Sequence, residues 1–274
     1  MTEESPPNSD SIDRVAPTIR PDQRVVMYQC WRHLLFLHWA VPVEAVRKHI
    51  PPGLEVDTFE GQAYVGLIPF TMKGVRPPGM PAVPWLSRLH EVNVRTYVHC
   101  KGKDPGVWFF SLDASQSPAV IGARVAYRLP YFRARMRMKV DSDKGPGIDY
   151  TSERLWPGPK PATCSLRYGP RGEPGPAAVG TLDHFLVERY LLYTGERDRL
   201  YRGRVHHAPY PLQGGEVLNL KEDLLASAGI ERPDQEPIVH YVSGVDVEIF
   251  PLERVHESPA PRTKGSEFGR GLSA

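Results

Sequence analysis

Between Gly61 and Val140 the side chains alternate with a period of two, punctuated by glycine and proline, and this limits the chain to a sheet-dominated fold. In "EVNVRTYV" (91–98), Glu91, Asn93, Arg95 and Tyr97 fall on one face of a strand and Val92, Val94, Thr96 and Val98 on the other. "GVWFFSLDA" (106–114) reads as a second strand, apolar on both faces until Ser111 and Asp113. "PAVIGARVAYRLP" and "YFRARMRMKV" (118–140) read as a third strand, broken or bulged at Pro130 because proline cannot donate to the ladder. In its latter half Phe132, Ala134, Met136 and Met138 alternate with Arg133, Arg135, Arg137 and Lys139.

Helical signals are fewer. "PVEAVRKHIPPG" (42–53) predicts a short helix started by proline and stopped by Pro51-Pro52-Gly53. "TLDHFLVERYLLYTG" (181–195) has Leu182, Phe185, Leu186, Arg189 and Tyr193 at helical spacing, with Thr181 or Asp183 to cap it and Gly195 beyond its end. "EVLNLKEDLLASAGI" (216–230) predicts a third helix. "PIVHYVSGVDVEIF" (237–250) predicts a hairpin or one long strand bent at Ser243-Gly244. Many antiparallel strands with a few helices define an α+β domain on a large, closed, largely antiparallel sheet. The stretches 142–147 and 168–178 read as surface loops within it. Residues 1–22 and 257–274 have the low hydrophobicity of disordered tails, which leaves one domain over 23–256.

Composition narrows the function classes. With 34 Lys+Arg against 32 Asp+Glu, the whole chain exerts no strong pull on nucleic acid or membrane. Cys30, Cys100 and Cys164 are widely spaced and read as reduced thiols. The acidic, polar N-terminus is no secretory signal and no spanning segment follows, so a cytoplasmic location and no membrane partner are expected. Nucleotide-binding glycine motifs and the GxSxG nucleophile elbow are absent, and no cofactor is expected. Nor is a metal: His206 and His207 point to opposite faces of a strand, and His33 and His38 stand five apart.

Three polar features remain. The face of Glu91, Asn93, Arg95 and Tyr97 is either the solvated side of a sheet or the lining of a polar cavity, and the local pattern does not separate the two. His38, in an apolar run, reads as a buried histidine satisfied by a backbone carbonyl, with a pocket role as the alternative. The stripe Arg133, Arg135, Arg137, Lys139 lacks stacking aromatics, so a solvated face paired with neighbours such as Asp141, Asp143 or Glu153 is favoured over a nucleic-acid partner. A homo-oligomer is compatible with all of this.

Several stretches together, "FLHWAVP", "IPPGLEVDTFEGQAYVGLIPF", "EVNVRTYV", "FFSLDA", "ARVAYRLPYF", "FLVERYLLY" and "VHYVSGVDVEIF", resemble the YqjF-like family of uncharacterised conserved proteins over Met27 to Leu252. That family looks like a branch of the acetoacetate-decarboxylase-like superfamily, which implies a strongly curved sheet closing into a cone around a buried pocket. In the decarboxylases an arginine six residues before a proline is followed at once by the lysine that forms the Schiff base. Arg124 and Pro130 keep that spacing here, and Glu91 stands where the family has a pocket glutamate. Tyr131 and Phe132 follow Pro130, however, and a phenol cannot form an iminium. Lys73 and Lys139, the nearest lysines in flanking elements, are poor substitutes.

The resemblance therefore implies a small-molecule-binding protein whose pocket, built from Glu91, Arg124 and Tyr131 with Asn93, Arg95 and His38, takes an anionic or carbonyl-bearing metabolite without Schiff-base chemistry. The alternatives are a non-covalent lyase or isomerase using the same residues as acid and base, and an interaction protein using the basic stripe. Tyr131 and Phe132 could equally plug the pocket.

Overall fold

The computed structural model describes residues 12–83, 87–141, 147–196 and 199–255. The strands are β1 (Met27–Val41), β2 (Glu55–Val56), β3 (Ala63–Arg76), β4 (Leu89–Cys100), β5 (Lys103–Ala114), β6 (Tyr131–Asp141), β7 (Gly147–Trp156), β8 (Thr163–Gly175), β9 (Leu191–Glu196), β10 (Arg199–His206), β11 (Leu212–Glu222), β12 (Ile238–Ile249) and β13 (Glu253–Arg254). Short helices α1 (Val43–Arg47), α2 (Ser117–Ala126), α3 (Leu182–Val187) and α4 (Leu224–Ser227) lie between them. All these strands join one sheet, ordered β13-β10-β9-β5-β6-β7-β8-β11-β12-β1-β3-β4-β2. A further β4–β5 pairing closes β5-β6-β7-β8-β11-β12-β1-β3-β4 into a ring, and a β10–β12 pairing carries β9 and β10 across it. The α+β, sheet-dominated architecture is as expected, but the sheet is mixed: β5 runs parallel to both β6 and β9.

The strands β1, β3 and β4 form a partition with both faces buried. Leu34 and Phe36 of β1, Ile68 and Phe70 of β3, and Leu89 and Tyr97 of β4 belong to one apolar core. Leu35, Leu37 and Trp39 of β1, Val65 and Leu67 of β3, and Val92 and Val94 of β4 belong to a second. Because successive side chains on a strand point to opposite faces, one run of sequence supplies both.

Four expectations are corrected. Residues 117–126 are the helix α2, not the first half of a broken strand. Parallel strands cannot be joined by a tight hairpin, and α2 is the crossover between parallel β5 and β6. Pro118 opens the helix, and Pro130 directly precedes β6, where its carbonyl accepts from the Leu112 N–H at 3.1 Å and its missing N–H costs the ladder nothing. The helix expected over 181–195 stops at Val187, and Leu191 onward is strand paired with β5 and β10. The helix expected over 216–230 shrinks to α4, because the residues up to Glu222 extend β11 along β8. The loop expected at 168–178 is strand as far as Gly175, while 142–146 of the other loop lies outside the described residues.

The 237–250 segment forms the single strand β12. Residues 12–22, expected to be tail, pack on the body: Ile12 is buried and the Arg14 guanidinium holds the Asp57 carboxylate at 2.5 Å. Residues 1–11 and 256–274 are outside the described residues.

Candidate active site

The polar face of β4 is not solvated. Glu91 and Asn93 are buried, 3% and 4% exposed, and with half-buried Arg95 they look into a cavity of about 400 Å³ on the first-core side of the partition. Trp31, Leu34 and Phe36 of β1 and Ile68, Phe70 and Met72 of β3 form the part of its apolar wall that belongs to the partition. Helix α2 roofs it with Pro118, Ala119, Gly122 and Ala123. Most of α2 is exposed on its other side, with Val120 its one buried residue.

Tyr131 reaches this cavity because it is the first residue of β6, paired in register with Leu112, which also lines the wall. Its hydroxyl donates to Glu91 Oε2 at 2.6 Å. The ring stands in the wall and leaves the cavity open beside it, so it does not plug the pocket. Asn93 Nδ2 approaches Glu91 Oε1 at 3.4 Å, and Asn93 Oδ1 has no hydrogen-bond partner among the described residues. The Glu91 backbone carbonyl accepts from the Tyr150 hydroxyl at 2.7 Å, which pins this position of β4 from the opposite side.

No cation lies within ion-pair distance of the Glu91 carboxylate among the described residues. Burial, opposed by the Tyr131 and Asn93 hydrogen bonds and aided by the Asp113 charge, pushes the carboxyl up to about 7. Glu91 is thus divided between its acid and carboxylate forms near neutral pH. The Tyr131 phenol is raised well above its ordinary value by burial and by the adjacent Glu91 charge, so it stays a proton donor.

Two expected site residues lie elsewhere. Arg124 sits on the exposed side of α2 and donates through Nη1 to the Tyr131 carbonyl at 2.6 Å. It ties the helix to the start of β6 and lines a separate outer groove beside Arg128 and Pro130; the strand geometry that would have aimed it inward is absent. His38 is fully buried and does not line the cavity. Its Nε2 lies 2.6 Å from the Tyr97 hydroxyl, which itself donates to the Leu186 carbonyl at 2.6 Å, so Nε2 carries the proton. The carbonyl expected to satisfy His38 is reached through Tyr97. Burial, helped by the Arg95 charge, holds the imidazole neutral.

Of the lysines weighed as nucleophiles, Lys73 and Lys139 are exposed, and no lysine lines the cavity among the described residues. Arg135 of the basic stripe pairs with Glu153 at 2.9 Å, and Lys139 stands opposite Asp149 in register, as in a solvated, charge-paired face. Among the described residues no cluster of three His, Cys, Asp or Glu side chains could hold a metal.

Sequence reasoning missed the apolar wall and the buried pair of Asp113 with Arg154, whose Nη2–Oδ1 distance is 2.7 Å. Arg154 also lies 3.8 Å from the centre of the Phe132 ring. Arg154 sits in an alternating stretch of β7 that carried no chemical motif, so its partner, 41 residues away, left no local signal.

Comparison with known proteins agrees with this architecture. The pattern defining DUF2071, described as an uncharacterized conserved protein, matches residues 28–246. The chain belongs to the DUF2071 family. It is 40% identical over 234 residues to the uncharacterized protein YqjF of Bacillus subtilis (strain 168), covering 85% of this chain and 94% of that one. An acetoacetate decarboxylase-like enzyme from Sphingomonas wittichii RW1 superposes with a TM-score of 0.59 at 11% identity, over 86% of this chain and 95% of the other. Acetoacetate decarboxylase from Legionella pneumophila gives 0.58 at 12%, over 88% and 92%. The enduracididine biosynthesis enzyme MppR complexed with pyruvate gives 0.58 at 13%, over 85% and 91%. At these identities the DUF2071 chain shares the fold of those enzymes.

Proposed function

We propose that the protein binds a small carbonyl-bearing or anionic metabolite in the 400 Å³ cavity and moves a proton on it without forming a covalent bond. The observation that carries this reading is the 2.6 Å hydrogen bond from Tyr131 to Glu91 at the polar side of an open cavity. A base works best when its pKa lies near the working pH, and Glu91 at about 7 meets that condition. As a carboxylate it takes a proton from the carbon beside a ligand carbonyl, and the electron pair of that C–H bond becomes the C=C of an enolate. The protonated Glu91 then no longer needs the Tyr131 hydrogen, and the phenol turns its O–H to the enolate oxygen. Return of the proton to the same or the adjacent carbon completes an exchange or an isomerisation.

Schiff-base decarboxylation is not part of this reading, since Tyr131 follows Pro130 and no described lining residue is a lysine. That a protein of the same fold holds pyruvate supports a small carbonyl compound as ligand. The pairing of the basic stripe with its own carboxylates favours the cavity over that stripe as the working surface.

The test is deuterium incorporation from D2O into a panel of small ketones and keto acids, followed by NMR. Exchange with the native chain, lost in Glu91→Gln and reduced in Tyr131→Phe, is expected. Ligand binding without exchange on any panel member would leave a binding protein only. Borohydride reduction in the presence of the same panel should leave the mass of the chain unchanged.

A further inference from the structure

The cavity contains a second polar station. Arg95 lies on the same face of β4 as Glu91, four residues on, so the two Cα atoms are about 13 Å apart at strand rise. The guanidinium carbon lies 5.5 Å from the centre of the Phe36 ring and 5.7 Å from that of Tyr97, two residues further along β4. The side chain therefore extends away from Glu91. Its Nη2 reaches the Leu186 carbonyl only at 3.4 Å, and its buried Nε has no hydrogen-bond partner. Among the described residues no carboxylate lies within ion-pair distance of it. Arginine cannot shed its proton to escape this situation, and a half-buried, unneutralised guanidinium is costly unless an anion arrives.

On β4 itself Asn93 stands between the two stations, with its Oδ1 unpartnered, and the wall supplied by β1 and β3 is apolar: Trp31, Leu34, Phe36, Ile68 and Phe70. At about 30 Å³ for each water-sized group, 400 Å³ holds about a dozen heavy atoms. An acid of three or four carbons would leave most of that wall bare and could not span from Arg95 to Glu91.

We propose that the ligand is a medium-chain carboxylic acid of roughly six to ten carbons. Its carboxylate sits on Arg95, its hydrocarbon body lies along the Trp31–Phe70 wall, and its oxidised carbon faces Glu91 and Tyr131 at the far end. This rests on the reading of the cavity as a ligand site and adds the ligand's length, charge and polarity pattern. The carboxylate and the reacting carbonyl are thereby separated by several carbons, unlike those of a β-keto acid.

Calorimetric titration of the full chain with butanoate, hexanoate and octanoate, with octanamide and with acetoacetate tests this. Affinity should rise about fourfold per added methylene up to the filled length. Octanamide should bind at least tenfold more weakly than octanoate. Arg95→Gln should bring the acid down to the affinity of the amide, and Ala119→Phe, which fills the cavity from α2, should penalise octanoate more than butanoate. Equal affinity of acid and amide for the native chain would overturn the Arg95 anchor even if the variants fail to fold. Butanoate or acetoacetate binding as tightly as octanoate would overturn the chain length. Octanoate has no keto group, so its binding does not depend on proton transfer. Retained octanoate binding with no deuterium exchange would remove the acid–base reading and leave this one standing.

Discussion

Two carboxylates lie on neighbouring strands, on opposite faces of the same partition, and they are treated in opposite ways. Asp113 stands in register with Val92 and so shares the dry face, where Arg154 neutralises it with hydrogen bonds of 2.7 and 3.0 Å. Glu91 stands in register with Ala114 and so shares the cavity face, where it has a phenol and a distant amide but no cation. Burial raises both carboxyls, but at Asp113 the hydrogen bonds and charge of Arg154 oppose that rise, and the pair belongs to the architecture. A carboxyl held only by hydrogen bonds beside empty space stays near its titration point, which is the state a base requires.

The largest test of this contrast is on the dry face. Arg154→Met leaves Asp113 buried without its partner and should cost about 3–5 kcal/mol in urea unfolding, while adding Asp113→Leu should restore most of it. On the cavity face the sign reverses. The Glu91 proton is held more tightly in the folded chain than in the unfolded one, with a pKa of about 7 against 4.5. Its contribution is therefore fully present below pH 4.5 and is lost as the pH rises through 7, a fall of about 3 kcal/mol by pH 8. Glu91→Gln should remove this part of the pH dependence and be the more stable chain at pH 8, with little difference at pH 4; a destabilised variant at pH 8 would break the contrast.

Tyr131→Phe should cost about 2 kcal/mol at pH 8, where Glu91 is charged, and less at pH 5. It should also move the Glu91 carboxyl above 7 in a carbon-detected NMR titration. Arg135→Ala, which breaks an exposed pair with Glu153, should change stability by less than about 1 kcal/mol.

Legibility followed the range of the interactions. The period-two run at 91–98 is readable as β4 because alternation is a local property, and so is the set of residues that share its polar face. Whether that face met water or a cavity was not readable, since it depended on β1, β3 and α2 arriving from elsewhere in the chain. The 118–126 stretch misled because its apolar residues fit a buried strand as readily as a crossover helix. Parallel pairing of β5 with β6 decided it, and with that decision Arg124 moved from the pocket to the outside of its roof. Likewise, the helical spacing from Leu182 runs on to Tyr193, but pairing along β5 and β10 outweighs that weak local preference and makes Leu191–Glu196 strand.

The sequence by itself determined the sheet-dominated class and the family, and it places Tyr131 directly after Pro130, because each is written in adjacent residues. Only the tertiary structure decided that Tyr131 reaches Glu91, that Arg95 stands apart without a counter-ion and that an open cavity lies between apolar walls. Those facts depend on distances across strands far apart in the chain, and closure of the sheet, not any local propensity, sets them.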